Sequence, residues 1–308
     1  MKKQTFGKTG FEVTPLGFGA GPIGYLKIDQ DRISKILNLL LDSGINVIDT
    51  AASYPGSEEA IGNSVSHRRD QFVLISKCGQ AFPDLPGAAW SAEVVSATVD
   101  RALGRLKTDH LDVMLLHSCD LSTLQKGDAL GALVKARDAG KIKFAGYSGD
   151  NDAVAWAAAQ PDIAVIETSV NIADQANIDN GVAVARKNNV GVIAKRPIAN
   201  AAWKDASQQS GIYANYASEY HRRLKEMNLN PADLGFSGPP DQVWPELALR
   251  FTLSIPGVHT AIIGTTHPDN AKANIAYAQK GPLPTDALEK LRQAFNKAGV
   301  GKNWKGQT

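Results

Sequence analysis

Eight times along this chain a short run of apolar and β-branched residues gives way to a polar turn and then to an amphipathic segment. The runs are VTPLGFG (13–19), INVIDT (45–50), FVLISK (72–77) and LDVMLLH (111–117), then KFAGYS (143–148), IAVIETS (163–169), VGVIAK (190–195) and HTAIIG (259–264). Strands this continuously apolar are buried on both faces, which happens when they run parallel and helices cover the sheet on either side. Between them RISKILNLLLDSG, AEVVSATVDRALGRLK, DALGALVKARDAG and NGVAVARKN space their apolar residues helically, and the first ends in Gly44, a natural helix stop. Eight strand–helix units are the number that closes a parallel sheet into a barrel. The expected fold class is therefore α/β, a (β/α)8 barrel occupying residues 1–308 as a single domain with no linker dividing it.

Two pieces stand outside the repeat. QTFGKTGFEV reads as a small hairpin turning through GKTG, placed before the first barrel strand where it could close the barrel's bottom. Residues 198–245 make a long insertion after strand seven, with Trp203, Tyr213, Tyr216, Tyr220 and Trp244 in it. Connections of that length usually serve as lids or binding loops. Together with Phe82 and Trp90 of the QAFPDLPGAAW loop, these aromatics are expected to shape a pocket.

The charge balance excludes some partners. A net charge of +2 gives no reason to expect nucleic acid or an anionic membrane surface. No apolar run approaches membrane-spanning length, and the basic start MKKQTFGKTG has no hydrophobic segment behind it. Two cysteines, Cys78 and Cys119, are too few for a disulfide framework, so the expected compartment is the cytoplasm.

Several motifs fit poorly. GAGPIG (19–24) matches the dinucleotide fingerprint G-x-G-x-x-G, and Asp49 falls near the place of a ribose-binding acid. That fingerprint needs a helix starting inside the glycine loop, whereas here the helix is expected near DQDR, and Pro22 removes one of the amides the loop would offer. GYSGD is not a nucleophile elbow, because Asp150 stands where the last glycine belongs. The six histidines show no paired metal-ligand spacing.

A better signal comes from what closes consecutive strands. The second ends at Asp49 with Tyr54 just beyond, the third at Lys77 and the fourth at His117. In a barrel these carboxyl ends share one face, where active sites of this architecture lie, and neighbouring strands are only about 4.8 Å apart. A phenol can donate a proton, an ammonium beside it is expected to make it more acidic, and an aspartate keeps that ammonium charged. A histidine opposite can orient a carbonyl oxygen. Such a set protonates an oxygen as negative charge develops on it, but it has no hydride of its own, so carbonyl reduction requires a separate reductant such as a nicotinamide nucleotide.

At this point the sequence resembles the aldo-keto reductase family over nearly its whole length. FGKTGFEVTPLGFGAGPIG resembles the family's opening, INVIDTAASYPGSEEAIG its most specific stretch, and LISKCG, DVMLLHS and GKIKFAGYSG its next three strand ends. The resemblance implies a catalytic tetrad of Asp49, Tyr54, Lys77 and His117 with Tyr54 as general acid, and NADPH, or NADH, lying across the barrel mouth. It also implies cofactor contacts from Asp49, Ser148, Glu167, Lys195, Arg196, Thr265, Asn270 and Asn274. Three departures from the family pattern stand out. Glu167 occupies the place of a glutamine, Lys195 that of the stacking aromatic, and Gly264 and Asn270 those of the usual lysine and arginine. Lys195 is expected to reach the cofactor phosphates or to pair with Glu167. The implied activity is reduction of a small-molecule aldehyde or ketone, and the alternative is a nucleotide-binding sensor on the same barrel with little turnover. Substrate identity, physiological direction and oligomeric state lie outside what the sequence determines.

Overall fold

The computed structural model describes residues 1–208 and 214–308; Tyr213 lies outside the described residues. The strands are β1 (Gln4–Thr5), β2 (Glu12–Val13), β3 (Leu16–Gly19), β4 (Val47–Asp49), β5 (Val73–Cys78), β6 (Leu111–His117), β7 (Ile142–Ser148), β8 (Ile163–Ser169), β9 (Gly191–Lys195) and β10 (Thr260–Ile263). The helices are α1 (Gly21–Tyr25), α2 (Gln30–Asp42), α3 (Ser57–Val65), α4 (Ala92–Leu106), α5 (Leu121–Lys126) and α6 (Asp128–Asp138). They continue with α7 (Asn151–Ala158), α8 (Ala183–Lys187), α9 (Ala214–Met227), α10 (Pro240–Leu253), α11 (Pro268–Gln279) and α12 (Thr285–Gly299).

Strands β3 to β10 pair parallel in chain order, and β10 pairs back onto β3, so the sheet closes. Strand β1 pairs antiparallel with β2 as the expected hairpin. Alternation along each strand divides the apolar residues into two cores. Val47, Val73, Ile75, Val113, Leu115 and Val165 point into the barrel, where Phe6 and Val13 of the hairpin region join them. The residues between them point outward beneath the helices, as Ile48, Leu74, Met114 and Ile166 do. The hairpin therefore fills the bottom of the cylinder, anchored by Lys8 N–H on the Asn189 carbonyl at 2.6 Å.

Helix α2 shows why these segments fold as they do. Asp29 caps its start by accepting from the Arg32 amide at 2.8 Å, and Ile33, Ile36, Leu37, Leu40 and Leu41 bury one stripe against the sheet. The chain in front of it differs from the sequence expectation, since the one-turn helix α1 starts at Gly21, inside the GAGPIG loop. Pro22 sits in its first turn, where the missing amide costs nothing. The Rossmann reading still fails, because the sheet is closed. The insertion after β9 is largely helical: it holds α9 and the start of α10, and α9 packs against α12. No helix among the described residues is long and apolar enough to cross a membrane.

Candidate active site

The alternation that fills the barrel with valine and isoleucine also decides what stands at its mouth. Continuing each inward series one step gives Asp49 after Val47, Lys77 after Ile75, His117 after Leu115, Glu167 after Val165 and Lys195 after Ile193. Cross-strand register sets His117 level with Ser148, and Ser148 level with Glu167. Above this ring opens a cleft of about 830 Å³. Asp49, Tyr54, His117, Ser148, Glu167, Lys195, Arg196, Thr265 and Asn270 all line it. Asn274 does not; it is buried on α11 and lines a small neighbouring cavity with Leu16, Ile263 and Thr265.

Lys77 lies beneath the floor with no exposed surface. Its ammonium donates to both oxygens of Asp49, at 2.6 and 2.7 Å, and to the Thr50 carbonyl at 3.0 Å. Glu167 Oε2 stands 3.3 Å from the same nitrogen, and Ser148 Oγ donates to Glu167 Oε1 at 3.2 Å. Two carboxylates thus share one buried ammonium. Burial and the Glu167 charge push Asp49 well above the usual carboxylate range, with Lys77 pulling it back. The paired carboxylates outweigh burial for Lys77, which is held strongly protonated.

Tyr54 is half-buried, its ring edge-on to His117 at 5.9 Å and to Tyr25 at 5.6 Å, with Lys77 Nζ 5.4 Å from its centroid. Its hydroxyl makes no hydrogen bond among the described residues, and the residue lines the cleft. The sequence expectation of an unusually acidic phenol does not hold here. Burial raises Tyr54 above its ordinary value, Asp49 and Glu167 add to the rise, and Lys77 offsets only part of it. The phenol is therefore fully protonated at neutral pH, which is the state a donor needs. His117 lies well below the usual histidine value, through burial first and then Lys77, Lys195 and Arg196. Ser53 Oγ is 3.3 Å from its Nδ1. When that hydroxyl donates, the neutral ring presents Nε2–H as a donor to the cleft.

Lys195 does not pair with Glu167. Its ammonium lies 3.0 Å from Asp150 Oδ2. Asp150 is held there by the Thr168 hydroxyl at 2.9 Å and by the Ser169 amide and the Asn177 side chain at 2.8 Å each. In sequence Asp150 stands out only as the residue that breaks an elbow motif. Its position two residues past Ser148, in step with the inward series, was the available signal. Arg196, with φ of 56°, donates to Ser169 Oγ at 2.7 Å and to the Gln307 carbonyl, and lies 3.8 Å over the Tyr216 ring. Neither Gln307 nor Thr308, which lines the cleft, carries a motif that marks it.

Most of the expected pocket aromatics pack elsewhere. Phe82 stacks under Arg101 at 4.2 Å, Trp90 lies over Gly79, and Trp203 stacks on Trp244 at 6.0 Å. Tyr220 is fully buried and donates to Asp174 at 2.9 Å. Among the described residues, Tyr25, Tyr54 and Tyr216 are the tyrosines that line the cleft.

The cleft fits a nicotinamide nucleotide. Its volume lies in the range of cofactor sites. Glu167 Oε2 is a buried acceptor with no hydrogen-bond donor of its own, beside the Ser148 hydroxyl, a pairing suited to a carboxamide. At the far wall, Thr265, Thr266 and Asn270 stand around the start of α11, whose dipole favours an anion. The lysine usual at Gly264 has no room, because a Cβ there would collide with Pro22 and with the Gly19 carbonyl.

Comparison with known proteins finds matches over nearly the whole chain. The family model described as "Aldo/keto reductase family" matches residues 15–296. An uncharacterized oxidoreductase of Bacillus subtilis, YqkF, is 23% identical over 95% of this chain and 96% of its own length. A probable aldo-keto reductase 1 of Glycine max is 26% identical over 96% of this chain and 88% of its own. The holo form of the aldo-keto reductase AKR11C1 from Bacillus halodurans superposes with a TM-score of 0.80 at 25% identity, covering 96% of each chain.

Proposed function

This chain belongs to the aldo/keto reductase family, whose members are generally NAD(P)H-dependent oxidoreductases, and from that premise we propose that it reduces an aldehyde or ketone to an alcohol with Tyr54 as the proton donor. The observation that carries the reading is a protonated phenol with an unengaged hydroxyl in the cleft, above a buried Asp49–Lys77 pair and edge-on to a neutral His117. Ser148, Glu167, Lys195 and Arg196 would hold the nicotinamide side of the nucleotide, and Thr265 and Asn270 its phosphate side. When bound, the nucleotide supplies the hydride.

The protein's own groups do the rest. A carbonyl oxygen between Tyr54 Oη and His117 Nε2 receives two hydrogen bonds, which orient it and stabilise the charge that develops there. Tyr54 gives up its proton to that oxygen. The ammonium of Lys77 then faces the new phenolate and stabilises it, while Asp49 and the Thr50 carbonyl keep the lysine charged and in place. NADPH is the family default. With Gly264 and Asn270 in place of cations, NADH competes more closely than that default suggests. The substrate is a small carbonyl compound, and no nucleic acid or membrane enters this reading.

Tyr54→Phe keeps the ring packing and removes the donor. Carbonyl-dependent oxidation of the reduced nucleotide should fall by about 100-fold or more, while nucleotide affinity, read by fluorescence titration, stays near that of the parent. Near-normal turnover in this variant would remove Tyr54 from the acid role.

A further inference from the structure

An ammonium has three protons, and those of Lys77 are taken by Asp49, which receives two bonds, and by the Thr50 carbonyl. Glu167 Oε2 therefore meets Lys77 as charge against charge at 3.3 Å, with no proton of its own to accept. Burial and Glu167 raise Asp49, so the surplus of negative charge that two carboxylates on one buried ammonium create under the cleft develops as Asp49 ionises. The neighbouring cations do not cancel it. Lys195 from β9 faces Glu167 but is engaged by Asp150, and Arg196 is engaged by Ser169, the Gln307 carbonyl and the Tyr216 ring.

We propose that Glu167 is a positioning residue for proton transfer: by claiming a share of the Lys77 charge, it makes Tyr54 hold its proton more tightly and sets the pH at which the donor is lost. This rests on the reading of Tyr54 as general acid and deepens it. The groups facing Tyr54 are Asp49 from β4, Lys77 from β5, His117 from β6, Glu167 from β8 and Tyr25 from α1. Of these, His117 is neutral, and Tyr25 is raised by burial and so is neutral as well. The balance at Tyr54 is then set by one lysine against two carboxylates. An anion beside a phenol opposes its ionisation, so Glu167 keeps the donor loaded into the alkaline range. The same charge delays the reverse reaction, alcohol oxidation, which needs the phenolate as base.

Glu167→Gln keeps the shape and the partner of Ser148 and removes the charge. In this variant the alkaline limb of carbonyl reduction should fall about one pH unit lower, and the onset of alcohol oxidation should move down with it. Glu167→Asp, which keeps the charge, should retain the parent limb. A readout independent of turnover is tyrosinate absorbance titrated in each variant against its own Tyr54→Phe partner, where the Tyr54 step should appear at lower pH in E167Q. Should E167Q not fold, Glu167→Ala carries the same expectation. A step and limb unchanged on loss of the charge, or an E167D that shifts as far as E167Q, overturns the proposal. Full activity in Tyr54→Phe would overturn the acid assignment, and with it any role of Glu167 in proton transfer, while the titration separately decides whether Glu167 sets the ionisation of Tyr54.

Discussion

A lysine without exposed surface exists only because its neighbours make the charge tolerable, and Lys77 shows how strict that dependence is. Moving an ammonium out of water costs several kcal/mol, and removing one partner of a buried pair strands the other. Lys77→Met would leave Asp49 and Glu167 as two buried carboxylates with no cation between them. We expect a loss of about 3–5 kcal/mol in stability by urea unfolding at neutral pH, together with loss of carbonyl reduction. The sign of its pH dependence follows from Asp49, which burial and Glu167 hold above its ordinary value even with Lys77 present. The folded state takes up that proton before the unfolded chain does, so the deficit should shrink as the pH falls and grow as it rises. A deficit independent of pH would mean that packing, not charge, is what Lys77 provides. At this scale the sequence was informative about face and level. Strand alternation sent Asp49, Lys77 and His117 inward at the carboxyl ends. It was silent about distances across the barrel, which is why the alternatives for Lys195, the cofactor phosphates or Glu167, did not include Asp150, and why the approach of Glu167 to Lys77 was not anticipated.

Among the elements, α1 has the largest consequence for the site relative to its five residues. Its GAGPIG loop looks like a phosphate cradle in sequence, but in the structure the glycines permit close packing. A Cβ on Gly24 would stand 2.8 Å from Tyr54 Cβ and 3.0 Å from its carbonyl carbon. The backbone of α1 therefore lies directly on the turn that carries Tyr54, the proposed proton donor. Gly24→Ala should push Tyr54 out of line with His117 and lower kcat for carbonyl reduction by about 10-fold or more, since small misplacements of a reacting group are costly. Its nucleotide affinity should change far less. A variant that lost nucleotide binding while keeping kcat would return the glycine loop to a cofactor role. The long runs around β5, β6 and β8 were legible because uninterrupted apolar sequence leaves few alternatives. Helix α1 was not, because a single turn containing proline and two glycines has no periodicity to read. The aromatic insertion misled for a related reason: Trp203, Trp244 and Tyr220 bury well wherever a surface is offered, and here helix packing offered it.

For the molecule as a whole, residues 304–308 bind the far parts of the chain together across the carboxyl-end face. Gly306 N–H donates to Asn151, the Lys305 carbonyl accepts from Arg223, and the Gln307 carbonyl accepts from Ser169 and Arg196. Beneath them Asp174 is buried and accepts from both the Gln307 amide and the Tyr220 hydroxyl at 2.9 Å, with Arg223 3.7 Å away. Burial and the Asp150 charge push this carboxyl up from 3.8 to about 7, against those hydrogen bonds and Arg223. Between those values the folded protein binds a proton that the unfolded chain has released, so this group's contribution to stability declines as the pH rises through the window and levels off above it. His117 acts in the opposite sense below its ordinary value, so the total curve would mix the two. The difference between parent and Asp174→Asn isolates one group. An asparagine oxygen can still accept from Gln307 and Tyr220, but it has no charge to bury. Thermal unfolding of both proteins should therefore show the parent losing ground to the variant as the pH rises from about 4 to about 7, with a constant offset beyond. A difference that stayed flat across that window would mean Asp174 is ionised throughout and is held by Arg223 rather than by its proton.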